Sequence, residues 1–192
     1  MGKIFYIMGK SASGKDTIYK ELIEKMPKFH SIVPYTTRPM REGEKDGVEY
    51  FFVNQERFDE MMDEEKIIEF RSYNTKCGIW TYFTADDGQV NLDASDYLGI
   101  GTLESYVKMR EYYGEEALCP IYIEVEDGER LARALNRERS QKTPRYEEMC
   151  RRFLADQEDF SEEKIAAAGI KKRFQNIDLE KCVEEIAQYI KG

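Results

Sequence analysis

Five short apolar runs, at residues 4–8, 29–33, 97–100, 120–125 and 172–175, predict the buried strands of a sheet. Between most of them, apolar positions recur at helical spacing and predict helices over 17–26, 103–113, 129–137, 146–168 and 179–190. In the first of these, Ile18, Leu22, Ile23 and Met26 form one stripe among Lys20, Glu21, Glu24 and Lys25. Strands that alternate with helices imply βαβ units, hence an α/β fold with a five-stranded parallel sheet between two helical layers. Residues 34–84 interrupt the alternation. They are rich in turn formers and aromatics (Tyr50, Phe51, Phe52, Tyr73, Trp80, Tyr82, Phe83), with one predicted helix near 55–63. This stretch is expected to be an inserted mixed β-sheet subdomain, leaving 1–33 and 85–192 as the core.

The turn after the first apolar run carries the strongest chemical signal. Gly9, Lys10, Ser11, Ala12, Ser13, Gly14 and Lys15 spell G-x-x-x-x-G-K between a predicted strand and a predicted helix. Glycines there let the backbone curl until successive N–H groups converge on phosphate oxygens, and the helix N-terminus adds partial positive charge. Lys15 supplies a cation for the β- and γ-phosphates. A nucleoside triphosphate is the expected ligand, held by Gly9, Ser11, Ala12, Ser13, Gly14, Lys15, Asp16 and Thr17. The residue after the lysine is ordinarily Ser or Thr, whose hydroxyl ligates Mg²⁺. Here it is Asp16, with Thr17 next; a carboxylate is a hard-oxygen ligand, so both are candidate Mg²⁺ positions.

Composition removes several function classes. A net charge of −9 over 192 residues argues against a nucleic-acid binder, which needs a basic face. It leaves nucleotide binding open, because a few arginines can hold phosphate inside an acidic protein. No apolar run approaches the ~18 residues of a membrane span and no leader pattern opens the chain, so a cytoplasmic protein is expected. Cys77, Cys119, Cys150 and Cys182 are scattered and are expected to be reduced structural residues. His30 is the only histidine, so catalysis by histidine is not expected.

A second phosphate site is suggested inside the insertion. Thr36-Thr37-Arg38-Pro39-Met40-Arg41-Glu42-Gly43-Glu44 precedes Gly47-Val48-Glu49-Tyr50-Phe51-Phe52. Two arginines three residues apart, with a tyrosine hydroxyl nearby, can grip a phosphate monoester through forked N–H donors. T-T-R-x-x-R-x-G-E followed by G-x-x-Y-x-F, in an insertion after a phosphate loop, resembles guanylate kinase, and the likeness runs through essentially the whole chain. The resemblance implies a P-loop fold with an Arg-rich helical lid near 133–152, and transfer of the γ-phosphate of ATP to GMP with Mg²⁺. It implies that Arg38, Arg41 and Tyr50 hold the GMP phosphate, with Glu44 orienting the arginines. It places a guanine reader at Glu69, within Ile68-Glu69-Phe70, since a carboxylate accepts both guanine N1–H and the exocyclic amine. Tyr82 and Thr84 align with a further phosphate contact and a base contact. Arg133, Arg137 and Arg152 match the lid pattern, with Lys15, Arg38, Arg137 and Arg152 as the catalytic cations, and Asn176 falls beside adenine.

The chain also departs from that pattern. Where the family has an acid at the end of a strand near the metal, this chain has Gly101, with Asp96 and Glu104 flanking and Asp16 as the compensating carboxylate. A serine that touches guanine is replaced by Pro34-Tyr35, and Glu138 replaces a lid glycine. These changes keep open a kinase for dGMP or a modified monophosphate, and a non-catalytic binding module; the intact Lys15 speaks against the latter. A monomer or homodimer is expected.

Overall fold

The structure, a computed structural model, describes residues 2–75 and 78–192. In chain order β1 (Ile4–Met8) leads into α1 (Lys15–Lys25), followed by β2 (His30–Ser31), β3 (Tyr35–Thr36), β4 (Phe51–Phe52), α2 (Gln55–Asp63), β5 (Ile67–Thr75) and β6 (Gly78–Ala85). Then come β7 (Tyr97–Gly101), α3 (Leu103–Tyr113), β8 (Leu118–Glu124), α4 (Asp127–Arg139), α5 (Tyr146–Asp159), α6 (Glu162–Ala167), β9 (Arg173–Gln175) and α7 (Leu179–Lys191). One sheet has the order β2-β7-β1-β8-β9, and every pairing in it is parallel. The other has the order β4-β3-β6-β5 and is mixed, with β3 parallel to β4 and antiparallel to β6. The expected five-stranded parallel sheet and mixed second sheet are both present.

The continuous apolar character of β1 follows from its central place, because alternate side chains enter opposite layers. Ile4, Tyr6 and Met8 pack with Leu103, Tyr106 and Met109 of α3, and with Phe160 and Ile165. Phe5 and Ile7 pack on the other face with Ile18 and Leu22 of α1 and Cys182, Val183 and Ile186 of α7. A third, separate core of Phe58, Met61, Phe83 and Ala85 lies under the mixed sheet.

Several boundaries differ from the sequence expectation. The run at 29–33 pairs only over His30–Ser31, at the sheet edge. The run at 120–125 begins two residues earlier, at Leu118; Pro120 is tolerated because β9 pairs with β8 only from Tyr122 onward. The long stripe at 146–168 is two helices, not one. Phe160 ends α5, and Ser161 starts α6 by accepting the N–H of Lys164, so a hydroxyl caps a new N-terminus where periodicity alone continues. Among the described residues, Cys119, Cys150 and Cys182 are free, and Cys77 lies outside those residues. No helix among them is long and apolar enough to cross a membrane.

Candidate active site

The loop between β1 and α1 is shaped by two close approaches. A Cβ on Gly9 would lie 2.6 Å from the Ile123 carbonyl oxygen, and one on Gly14 would lie 2.3 Å from Asn176 Nδ2. Gly14 is also left-handed, at φ 87°, as the N-cap of α1. Ala12 shares that sign at φ 63°, so the peptides between them turn in the manner of an anion-binding nest. Asn176 Nδ2 donates to the Ser13 carbonyl at 2.8 Å, and Asn176 N–H donates to Glu124 at 3.0 Å. The outer side of the loop is thereby tied to the β9 end of the sheet. Among the described residues Ser13 Oγ is buried with no hydrogen-bond partner, an orphan that a phosphate oxygen would satisfy. Lys15 opens α1 with its Nζ 3.5 Å from the Asp16 carboxylate, whose side chain is 77% exposed; Thr17 is exposed beside it.

Arg38 is the buried centre of the second cluster. Its Nη1 and Nη2 donate to the two Glu44 oxygens at 2.8 and 2.6 Å, and Nη1 also reaches the Pro39 carbonyl at 2.9 Å. Glu44 accepts the Arg41 backbone N–H at 2.8 Å, so one carboxylate fixes both arginine positions while the Arg41 side chain stays exposed. The guanidinium sits 5.1 Å from the Tyr50 ring and 5.3 Å from Phe52, and its buried Nε has no hydrogen-bond partner among the described residues. Hydrogen bonds from Arg38 hold the Glu44 carboxyl below its ordinary value. Tyr50 and Tyr82 meet edge to face at 5.7 Å, and burial raises the Tyr50 hydroxyl above its usual range. The charges of Tyr82 and Asp16 add to that upward shift.

Glu69 is buried on β5 and accepts from Thr84 Oγ1 at 2.8 Å and from Arg71 Nε at 3.1 Å. Arg71 continues to Thr102 Oγ1 at 3.0 Å, Thr102 and Ser105 form the capping box of α3, and Tyr6 donates to Ser105 Oγ at 2.8 Å. A hydrogen-bonded chain thus joins the mixed sheet to the core. It ends at Gly101, and there the sequence expectation needs correcting. Gly101 is not an acid position left vacant: its side-chain space is filled by Tyr6 and Ser105. Asp96 lies at the opposite end of β7, accepting the Lys3 N–H at 2.7 Å, so it does not replace the missing acid. Pro34 enters only through its carbonyl, which accepts the Phe51 N–H at 2.9 Å.

The three expected lid arginines gather beside the loop. Arg133 donates to Glu129 at 2.9 Å and to the Asn176 carbonyl at 3.0 Å. Arg137 and Arg152 line one small cavity together with Ser11, Arg130 and Phe153. Glu138, in place of glycine, is buried and accepts the Arg145 N–H at 2.5 Å, fastening the end of α4 to the start of α5. Sequence reasoning passed over Arg71, Arg130 and Asp156. Spacing held a signal for the last two: Arg130 is one turn before Arg133, and Asp156 one turn after Arg152. Arg71 had none beyond its two-residue offset from Glu69 on a strand.

Comparison with known proteins places this arrangement. The family model for guanylate kinase matches residues 1–82. The guanylate kinase of Legionella pneumophila is 43% identical over 68 residues, which are 35% of this chain and 32% of that one. That of Helicobacter hepaticus is 42% identical over 74 residues, 38% of this chain and 37% of that one. The chain therefore spans about a third of the length of the curated relatives it matches. A crystal structure of guanylate kinase from Anaplasma phagocytophilum superimposes with a TM-score of 0.64 at 22% identity, covering 99% of this chain and 85% of that one. The resemblance read from the motifs thus extends in sequence over residues 1–82, and in fold over 99% of the chain.

Proposed function

We propose that this chain is a nucleoside-monophosphate kinase that moves the γ-phosphoryl group of ATP to GMP, giving ADP and GDP. The observation that supports it most is the presence together of a buried Ser13 hydroxyl, orphaned among the described residues in a glycine-shaped loop, and a buried, Glu44-oriented Arg38 in the insertion. Two phosphate grips suit transfer between phosphates, which depends mainly on alignment and charge neutralisation.

Each group then has a role. The loop amides and Lys15 hold the β- and γ-phosphates, and Asn176 braces the loop beside the base. Arg38, Arg41, Tyr50 and Tyr82 grip the acceptor phosphate; Glu69 and Thr84 face guanine. Arg133, Arg137 and Arg152 bring positive charge from the lid and exclude water when it closes. In this assignment a divalent ion arrives with the triphosphate, whose oxygens supply most of its ligands. The exposed Asp16 carboxylate, with Thr17 beside it, fits that requirement and would hold Mg²⁺ together with phosphate oxygens. When bound, Mg²⁺ neutralises charge on the β- and γ-phosphates. In this assignment residues 34–84 are the closing insertion and the remainder is the core.

A second acceptor on the same fold is favoured by one contact. Arg71 adds a donor beside Glu69, which changes the edge a base would meet. ADP release measured over GMP, dGMP, IMP, AMP, CMP and UMP with ATP and Mg²⁺ tests both. The expected result is transfer to guanine monophosphates, lost in Lys15→Ala. Transfer to none of them would overturn the kinase assignment.

A further inference from the structure

One residue of the phosphate loop, Ser11, is gripped through both of its backbone polar groups by the two lid helices. Its N–H donates to Asp156 Oδ2 on α5 at 2.8 Å, and its carbonyl accepts from Arg130 Nη1 on α4 at 2.9 Å. Arg130 and Asp156 are themselves 3.3 Å apart, so the three groups close a ring. Arg130 is only 1% exposed; its Nε and Nη2 are held by Asp127 at 3.1 and 2.9 Å, and Phe153 lies 4.4 Å from the guanidinium. A second strap runs alongside. Lys10 Nζ donates to Gln157, and Gln157 Nε2 donates to Asp127.

Helical spacing connects this ring to the chemistry. Asp156 is one turn from Arg152 on α5, and Arg130 is one and two turns from Arg133 and Arg137 on α4. Any shift of Ser11 against the ring therefore alters the distance between the loop and the lid arginines. Holding two helices together does not require charge, since apolar side chains would do so without the desolvation cost of a buried ion pair. Capturing an N–H and a C=O of one residue at once requires an acceptor and a forked donor.

We propose that Arg130 and Asp156 are positioning residues for the donor nucleotide, fixing the Ser11 peptide and with it the approach of Arg137 and Arg152 to the triphosphate. This rests on the assignment of the loop as the ATP site.

The test measures ATP affinity by calorimetry on the intact protein with Mg²⁺ and no acceptor, then initial rates with ATP and GMP varied. Asp156→Ala frees the Ser11 N–H and is expected to weaken ATP binding and raise the ATP KM about tenfold, with the GMP KM within about twofold. Asp156→Asn keeps an oxygen for Ser11 and is expected to lose about threefold or less. Arg130→Lys keeps the charge without the fork and should follow Asp156→Ala. Unchanged ATP affinity in Asp156→Ala, with a lowered Tm, would reduce the ring to a brace and overturn the proposal. If Asp156→Ala does not fold, wild-type ATP affinity in both Asp156→Asn and Arg130→Lys would overturn it equally. Weakened ATP binding in a protein that transfers to no monophosphate would leave the ring standing and remove only the acceptor assignment.

Discussion

Tyr6 occupies the space that a side chain at residue 101 would need: a Cβ on Gly101 would lie 2.2 Å from the Tyr6 hydroxyl oxygen and 2.5 Å from Ser105 Oγ. The neighbouring strands explain why. Tyr6 pairs with Gly99, where a Cβ would lie 2.7 Å from its ring, so two glycines on β7 form the groove in which the tyrosine lies. Burial, followed by the nearby Glu69 charge, raises the hydroxyl above its ordinary value and keeps it a neutral donor to Ser105.

Gly101→Asp is therefore expected to destabilise rather than repair. Overpacking costs about 1–3 kcal/mol, and a carboxylate placed near buried Glu69 adds to it. A fall in Tm of about 2–12 °C is expected from that range for a chain of this length. The loss should shrink when Tyr6→Ala accompanies it, with a coupling of at least about 0.5 kcal/mol in a double-mutant cycle. An unchanged melting temperature in the single variant would show that the site opens more easily than its packing indicates.

The Arg38–Glu44 pair separates stability from chemistry. Arg38→Ala strands a carboxylate beside the cleft and removes a phosphate grip, so it should lower both Tm and turnover, the latter by about a hundredfold or more. Arg38→Ala with Glu44→Ala should regain Tm and not turnover. The pair also sets an acid limit. The folded Glu44 value lies below its ordinary 4.5, so its contribution is fully present above that pH and is lost as pH falls through the lowered value. Urea midpoints of wild type and Glu44→Gln should differ by a constant amount from about pH 7 to about pH 5 and converge towards about pH 3. A gap that stays constant into acid would mean the pair does not depress Glu44.

Glu69→Gln tests base selection. The amide turns one acceptor towards guanine into a donor facing donors, and it also removes the charge that holds Arg71. The ratio of GMP to AMP turnover should fall about tenfold or more. An unchanged ratio would remove Glu69 as the reader and direct attention to Thr84 and Arg71.

Some of this was legible in the chain and some was not, for physical reasons. The strand β1, the helix Gln55–Asp63 and the helix Leu103–Tyr113 could be read because burial there follows one period and their ends carry turn or capping residues such as Asn54 and Thr102. The Arg38–Glu44 bond was foreshadowed by the resemblance, which implied that Glu44 orients the arginines. The division of α5 from α6 was hidden because Ser161 interrupts an apolar stripe without breaking it. The ring ties Ser11 to Arg130 and Asp156, each more than a hundred positions away, and Tyr6 meets Gly101 across strands that are far apart in the chain. Such contacts depend on topology, which no local pattern encodes.

Asp16 remains the residue most particular to the loop, and the structure sharpens its test. With Gly101 filled by Tyr6 and Asp96 at the far end of β7, Asp16 is the acid on the first turn of α1 beside Lys15. Its side chain is 77% exposed and pairs only loosely, at 3.5 Å, with Lys15. If it serves as a ligand, Asp16→Ser restores the usual motif while removing the charge, and turnover should fall about tenfold at limiting Mg²⁺ with partial recovery at high Mg²⁺. If Asp16 acts only by repelling the triphosphate, the serine should raise turnover at every Mg²⁺ concentration, because the hydroxyl is neutral and also a ligand. A Mg²⁺ titration of Asp16→Ser alone separates the two, since the double variant with Gly101→Asp has no room to fold its second carboxylate into place. A gain at all concentrations would remove Asp16 from the metal site.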